Sequence, residues 1–403
     1  MNWTRALLVA CLVAQGCGDD GGAGSEDTDP GTSSSTTAAS GSSTDPSAGT
    51  NPTSASSTTV DPTATTTDST SGSEGGDESS SSGGEPAPTY PEHYMGRFDR
   101  SQGNPRSTWS GSTARTRIDG TDVSIALDGP SGIHFQTVVD GMVTGEFTTG
   151  DGAQSYVVAT GLPAGEHDIE VVRRNEGYFG IVTYNGFELG ADTTTVETPW
   201  PYDLHIEFIG DSLTAGYGIE CNSGNENFSA ATESAYSSYA MVTGRILEAS
   251  VHLIAFSGKG VFQNYGGNTD EPMPVLWPRT LTGQADPEWD WLERPADVVV
   301  INLGTNDFSA AIQQSDFVDA YVALLGDVRS HYPEATIVGV TWAHWGADHE
   351  GWVTGAFDQF ADPETTTERF EILAEEGYGC DYHTNVVTNQ RFGEQLAERI
   401  AGL

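Results

Sequence analysis

The chain has 403 residues, which is enough for two or three domains. It carries 16 Lys and Arg against 58 Asp and Glu, so its formal net charge is -42, and Lys259 is its only lysine. Because phosphate binding needs clustered cations, this balance argues against nucleic acid as a partner.

Residues 1–17 predict an export signal. Arg5 precedes a short apolar run over 6–14, far below the ~20 residues that a membrane span needs. The run ends in Ala-Gln-Gly-Cys at 14–17, which resembles a bacterial lipoprotein signal with Cys17 as the lipidated mature N-terminus. The third residue before that cysteine is Ala rather than the commoner Leu, so ordinary secretion stays open. We expect an exported protein that meets a membrane only through a lipid anchor.

A polar linker is predicted over residues 18–89. Ser, Thr, Gly and acidic residues dominate 18–85, which contains no Lys, no Arg and no aromatic residue. Such a segment cannot bury enough apolar surface to offset its ordering entropy, so we expect it to be disordered. Aromatic and Arg residues return from about Tyr90.

Residues 90–201 predict a small all-β domain, a sandwich or jelly roll. Alternating or apolar stretches of strand length are separated by turn signals such as Asp119-Gly120 and Asn185-Gly186. The stretches expected to form strands are 115–127, 133–139, 155–159, 167–172 and 178–184. Their spacing is typical of a β-sandwich.

Residues 202–403 predict an α/β domain with a doubly wound parallel sheet. The apolar runs expected as strands are 204–209, 251–256, 298–303 and 335–341, with 370–373 as a candidate fifth. The stretches with helical spacing of apolar residues are 234–248, 317–328 and 389–400. Near-continuous apolar strands suit a parallel sheet that helices cover on both faces.

Three polar blocks each follow one of these strands, and a fourth block precedes the last helix. They are Gly210-Asp211-Ser212-Leu213, Ser257-Gly258-Lys259-Gly260, Gly304-Thr305-Asn306-Asp307 and Cys380-Asp381-Tyr382-His383. Ligands of such sheets bind beyond the carboxyl ends of the strands, so we expect the blocks to converge. The set predicts acyl transfer, with Ser212 as nucleophile and His383 as general base.

The other residues of the blocks supply the expected supporting roles. The backbone N–H groups of Ser212 and Gly258, with the side-chain amide of Asn306, are candidates for an oxyanion hole. Glycine at 258 lets the backbone approach the oxyanion closely. Asp381 is the candidate acid that orients the imidazole of His383.

The four blocks resemble those of the SGNH (GDSL) hydrolases. A β-sandwich ahead of the SGNH domain resembles carbohydrate esterase family 2, as do Gly216-Tyr217-Gly218, the stretch 257–266 and Asp381-Tyr382-His383. The resemblance implies a serine esterase that removes O-acetyl groups from xylan or related plant polysaccharides through an acyl-enzyme. Acetylated polysaccharide is the implied partner, and neither cofactor nor metal is implied.

Two departures leave alternatives open. The SGNH pattern has an Asp three residues before the His, whereas position 380 is Cys and the acid is Asp381, so a Ser–His dyad and a triad are both possible. The region 342–367 matches no part of the pattern, which leaves the substrate open. A lipase or thioesterase would need a long apolar acyl groove, and a surface lipoprotein that binds carbohydrate without turnover is the third reading.

Three tryptophans and two cysteines complete the candidate site. Trp277, Trp342 and Trp345 are candidates for stacking on sugar rings, with burial in the core as the alternative. Cys221 and Cys380 lie close in sequence to Ser212 and His383, respectively. In an exported protein this placement predicts a disulfide between the two catalytic loops.

Overall fold

The computed structural model describes residues 87–403. The predicted leader at 1–17, with Cys17, and almost all of the predicted linker at 18–89 lie outside the described residues. Within 87–403, none of the helices combines the length and the apolar character that crossing a membrane requires.

The N-terminal part is a sandwich of two antiparallel sheets. Its strands are β1 (Glu92–Met95), β2 (Arg106–Ser107), β3 (Thr113–Asp119), β4 (Val123–Gly129), β5 (His134–Val139), β6 (Met142–Thr148), β7 (Gly152–Ala159), β8 (Glu166–Arg173), β9 (Val182–Leu189) and β10 (Thr194–Thr195). One sheet has the order β1-β3-β8-β5-β6, with β10 beside β3, and the other has the order β2-β9-β4-β7. Side chains from both sheets, including Phe135, Ile125 and Tyr184, share one buried core.

The predicted all-β domain is confirmed, with differences in its strands. The stretch 115–127 forms two strands, β3 and β4, that break at Gly120 (φ 158°). Strand β9 begins at Val182 because Gly177–Phe179 form a 3-10 turn instead of extended chain. Strand β6 was not predicted, since its residues are mostly exposed and show no alternating apolar pattern.

The C-terminal part is a parallel sheet covered by helices. Its strands are β11 (Leu204–Gly210), β12 (Ala249–Ala255), β13 (Arg279–Leu281), β14 (Gln284–Glu288), β15 (Val298–Asn302), β16 (Thr336–Trp342) and β17 (Thr365–Phe370). Its helices are α1 (Ser212–Ala215), α2 (Tyr239–Ile246), α3 (Met273–Leu276), α4 (Gln314–His331), α5 (Ala347–Phe360) and α6 (Val386–Ala401). The sheet has the order β12-β11-β15-β16-β17, and all four pairings are parallel.

Two apolar layers explain why this sheet is doubly wound. Phe208 on β11 packs in one core cluster with Tyr239 of α2 and Phe392 of α6. Its neighbour Ile209 points to the other face, in the cluster that contains helices α4 and α5. Alternate residues of a buried strand therefore serve opposite layers, and the predicted α/β fold is confirmed.

Three elements of this domain differ from expectation. The fifth strand, β17, lies at Thr365–Phe370 rather than 370–373, because its half-exposed Thr-Thr-Thr start carries no apolar run. Helix α5 fills most of the region 342–367, for which no element was predicted. The hairpin of β13 and β14 was also not predicted.

Candidate active site

The nucleophile candidate lies where the first strand of the parallel sheet ends. Asp211 follows β11 and caps α1, since its carboxylate accepts the backbone N–H of Leu213 at 3.0 Å. Ser212 is the first residue of α1 and is 7% exposed. Its Oγ lies 2.9 Å from Nε2 of His383, which is hydrogen-bonding distance for proton transfer.

A short loop before α6 holds the histidine. The structure joins Cys380 to Cys221 in the predicted disulfide, with a Cα–Cα distance of 5.1 Å. The N–H of Cys380 also donates to the carbonyl of Gly218 at 2.9 Å. The ring of Tyr217 packs on the imidazole with a centroid distance of 4.5 Å. Burial lowers the pKa of His383, partly offset by contacts with backbone carbonyls, so the neutral base form is favoured.

Asp381 contacts the histidine through its backbone and not through its side chain. Its carbonyl oxygen lies 3.3 Å from Nδ1 of His383. Its carboxylate instead accepts from the hydroxyl of Tyr217 at 3.0 Å and from the N–H of Phe228 at 3.2 Å. The residue has a φ of 49°, a left-handed conformation that turns its carbonyl toward the imidazole. The predicted carboxylate contact is therefore wrong in this structure, and the geometry is that of a Ser–His dyad.

The oxyanion-hole candidates meet beside Ser212. Gly258 has a φ of 80°, and within residues 87–403 its backbone N–H has no acceptor. The side-chain amide nitrogen of Asn306 lies 3.0 Å from Asp211 Oδ2 and 2.8 Å from the carbonyl of Lys259. Both amide hydrogens of Asn306 are thus directed at protein acceptors, which leaves the backbone donors of Ser212 and Gly258 as the open pair.

Buried carboxyl groups stabilise these loops through hydrogen bonds. Burial raises the pKa of Asp211 to about 7. Asp307 is also fully buried, and its carboxylate accepts from the backbone N–H groups of Val261, Phe262 and Gln263 at 2.8 to 3.0 Å. Three charge-assisted bonds hold the loop that follows Gly258. In the described part of the chain, no group of three or more His, Cys, Asp or Glu is placed to hold a metal ion.

An open cleft of about 510 Å³ is lined by His383 and by Leu213, the residue after Ser212. Its lining includes two partly exposed tyrosines, Tyr378 (37%) and Tyr382 (62%), together with His344 and Glu371. Sequence reasoning did not single out these tyrosines, although the Asp-aromatic-His block at 381–383 was a signal for the second. Aromatic rings beside polar groups suit the alternating apolar faces and hydroxyls of a sugar chain.

The three candidate tryptophans separate into two groups. Trp277 and Trp342 are 1% and 0% exposed, and their indole N–H groups donate to Glu207 at 2.6 Å and to Asn302 at 2.7 Å. They are core residues, so their predicted contact with substrate is wrong. Trp345 is half-buried and donates to Thr305 at 3.2 Å beside the cleft, where the prediction stays open.

Comparisons with known proteins agree with this architecture. A family model for the carbohydrate esterase 2 N-terminal domain matches residues 94–199, and one for the GDSL-like lipase/acylhydrolase family matches residues 208–396. A solved structure of a family two carbohydrate esterase from Clostridium thermocellum, in complex with cellohexaose, is 34% identical with a TM-score of 0.74. The alignment covers 77% of this chain and 98% of that one.

Two curated relatives are longer than the region they share with this chain. The cellulase/esterase CelE of Acetivibrio thermocellus is 34% identical over 326 residues, which is 76% of this chain and 39% of that protein. An acetylxylan esterase/glucomannan deacetylase of Cellvibrio japonicus is 33% identical over 179 residues, 43% of this chain and 49% of that protein. The chain thus spans less than half the length of either relative.

Proposed function

This chain belongs to carbohydrate esterase family 2, and from that premise we propose that it is a serine esterase that removes O-acetyl groups from polysaccharide. The observation that carries the proposal is the 2.9 Å contact between Ser212 Oγ and Nε2 of His383, a residue that lines the open cleft. A nucleophile paired with a base is the minimum that acyl transfer requires.

The proposed reaction has two steps. Ser212 Oγ attacks the acetyl carbonyl while its proton moves to Nε2 of His383. The oxyanion that forms accepts hydrogen bonds from the backbone N–H groups of Ser212 and Gly258. The intermediate collapses, and the imidazolium returns the proton to the departing sugar hydroxyl. Water activated by His383 then hydrolyses acetyl-Ser212 and releases acetate. Throughout, the carbonyl of Asp381 accepts Nδ1–H and holds the ring.

The substrate class is proposed from the relatives and the cleft together. One relative is named acetylxylan esterase/glucomannan deacetylase, another is named cellulase/esterase, and one similar structure holds cellohexaose. In this chain Tyr378 and Tyr382 offer ring faces on which a β-linked sugar chain can stack. We therefore favour acetylated xylan or glucomannan over a lipid ester.

Acetate release from acetylated xylo-oligosaccharides and acetylated glucomannan tests this proposal, with Ser212→Ala as the control. We expect release by the wild-type protein and none above background by the variant. If p-nitrophenyl acetate is cleaved but neither glycan is deacetylated, the serine mechanism is supported and the assignment of the substrate as a glycan is wrong. If a folded wild-type protein cleaves none of the three, the esterase proposal is wrong.

The pH profile should show the lowered pKa of His383. The base acts when neutral, and burial lowers its pKa, so the acid limb of kcat/KM should have its midpoint below about pH 6.5, the usual histidine value. Steady-state hydrolysis of p-nitrophenyl acetate between pH 4 and 9 measures it. Asp211 also titrates near neutrality, and Asp211→Asn should leave this limb in place. A midpoint above 6.5 would contradict the assignment.

A further inference from the structure

A pair of buried glutamates joins the β-sandwich to the oxyanion loop. Glu176 follows β8 of the sandwich, Glu233 precedes α2 of the α/β domain, and both are 0% exposed. Neither residue belongs to the four sequence blocks, and neither lines the cleft. The proposed reaction does not use them, yet burying two carboxyl groups side by side is costly unless hydrogen bonds or neutralisation compensate.

The carboxyl group of Glu176 accepts two hydrogen bonds from Ser257, the residue before Gly258. Its Oε2 accepts the backbone N–H of Ser257 at 2.5 Å, and its Oε1 accepts the hydroxyl of the same residue. Two bonds from one side chain hold the backbone N–H and the hydroxyl of Ser257, and the backbone angles of that residue direct the next peptide, which carries the Gly258 N–H. The direction of the Gly258 N–H therefore depends on a side chain that the sandwich supplies.

Glu233 keeps Glu176 in place. Its Oε2 accepts from the side-chain amide of Asn175 at 2.9 Å and from the backbone N–H of Glu176 at 3.3 Å. Its Oε1 is buried and has no partner among the described donors. The two buried carboxyl groups interact with each other. A proton on Glu176 would supply the donor that Oε1 lacks.

The charges around the pair favour that assignment. Burial raises the pKa of both carboxyl groups, and the negative charge of Glu233 raises the pKa of Glu176 further. The guanidinium of Arg173 lies near Glu233 and favours its ionised form. Because two interacting carboxylates in a buried site repel each other, one proton is expected to stay in the pair.

We infer that Glu176 is a positioning residue for the esterase reaction: as a neutral acid bonded to Glu233, it holds Ser257 and thereby aims the Gly258 N–H at the oxyanion. The inference rests on the proposed function. It also gives the β-sandwich a direct part in catalysis, since one of its residues sets the geometry of the oxyanion hole.

Glu176→Ala and Glu176→Gln separate this role from a merely structural one. A misplaced oxyanion donor should lower kcat of Glu176→Ala by about 10- to 100-fold with KM changed less than about threefold. Glutamine keeps one acceptor for Ser257 and one donor for Glu233, so Glu176→Gln should stay within about fivefold of wild type. The matched control is Glu166→Ala on β8, an exposed glutamate paired with Arg117, which should leave kcat unchanged.

Steady-state hydrolysis of p-nitrophenyl acetate gives the readout, with circular dichroism as the check on folding. Wild-type inactivity would overturn the proposed function and this inference together. If the wild type is active and Glu176→Ala keeps full kcat, the inference alone is wrong. If Glu176→Gln is as slow as Glu176→Ala, the assignment of Glu176 as a neutral acid is wrong. If Glu176→Ala does not fold, Ser257→Ala takes its place: an about 3- to 10-fold fall in kcat supports the inference, and full kcat overturns it.

Discussion

His383→Ala is expected to lower kcat for ester hydrolysis by about 10⁵-fold or more, whereas Asp381→Asn should lower it less than about tenfold. The histidine is the general base, and its Nε2 is the one imidazole atom that contacts Ser212 Oγ. Asparagine at 381 keeps the backbone carbonyl that faces Nδ1, and its side-chain oxygen can still accept from Tyr217.

The size of the Asp381 effect decides between the dyad and the triad. In a serine triad, replacing the acid by its amide costs about 10⁴-fold, because the imidazole takes the wrong tautomer. Here a carbonyl oxygen, which can only accept, selects Nδ1–H in the variant as in the wild type. The measurement is kcat with p-nitrophenyl acetate at a fixed pH above neutrality, with thermal unfolding to confirm that each variant is folded.

Tyr217→Phe provides a matched control for this comparison. It removes one donor to the Asp381 carboxylate while keeping the ring that packs on His383. If the carboxylate only braces the loop, Tyr217→Phe and Asp381→Asn should have effects of similar, small size. A loss of about 10³-fold or more in Asp381→Asn alone would contradict the dyad.

The catalytic blocks were predictable because their positions follow from topology. The carboxyl ends of parallel strands lie at one edge of the sheet, so Ser212, Gly258 and Asn306, which follow three of these strands, were expected at that edge. The role of Asp381 was not predictable, since it depends on the backbone conformation of this residue. At a φ of 49° the carbonyl faces the imidazole, and nothing in the residue types around position 381 requires that angle.

The wrong prediction for two tryptophans and the absence of any prediction for the two glutamates share another cause. Trp342 ends a strand and Trp277 ends a short helix, which suits either a cleft or a core, and only the packing partners decide. Trp277 is in the core because Glu207 accepts its indole N–H there. Glu176 and Glu233 come from different domains, 57 residues apart, so no local pattern brings them together. Contacts of this kind become visible only when both domains are in place.

Glu207→Ala is expected to lower the free energy of unfolding by about 3–5 kcal/mol, the cost of leaving a buried partner charge uncompensated. Glu207 on β11 and Arg97 from the N-terminal part are both 0% exposed, and their ion pair is 2.9 Å long. The hydroxyl of Tyr332 and the indole of Trp277 also donate to the carboxylate, at 3.0 and 2.6 Å. Alanine would leave Arg97 charged and buried between the two domains. Equilibrium unfolding by denaturant, monitored by fluorescence, measures the change in the free energy of unfolding.

The exposed pair Arg100–Glu293 is the matched control. It is 2.8 Å long, and its side chains are 43% and 38% exposed. Glu293→Ala should change the free energy of unfolding by less than about 1 kcal/mol, because water screens that pair. A loss below about 1 kcal/mol in Glu207→Ala would contradict the expected cost of the buried charge.

The pH dependence of the difference follows from the pKa of Glu207. Burial raises this pKa, but the charge of Arg97, the contact with His252 and the hydrogen bond from Trp277 outweigh burial and lower the pKa to about 2. A lowered carboxyl pKa stabilises the folded state fully above the unfolded value of about 4.3 and loses that effect as pH falls through about 2. The difference in the free energy of unfolding between wild type and Glu207→Ala should therefore narrow below about pH 4.

The double variant Arg97→Met, Glu207→Gln removes both charges and keeps an acceptor for Trp277, so it should be less destabilised than Glu207→Ala alone.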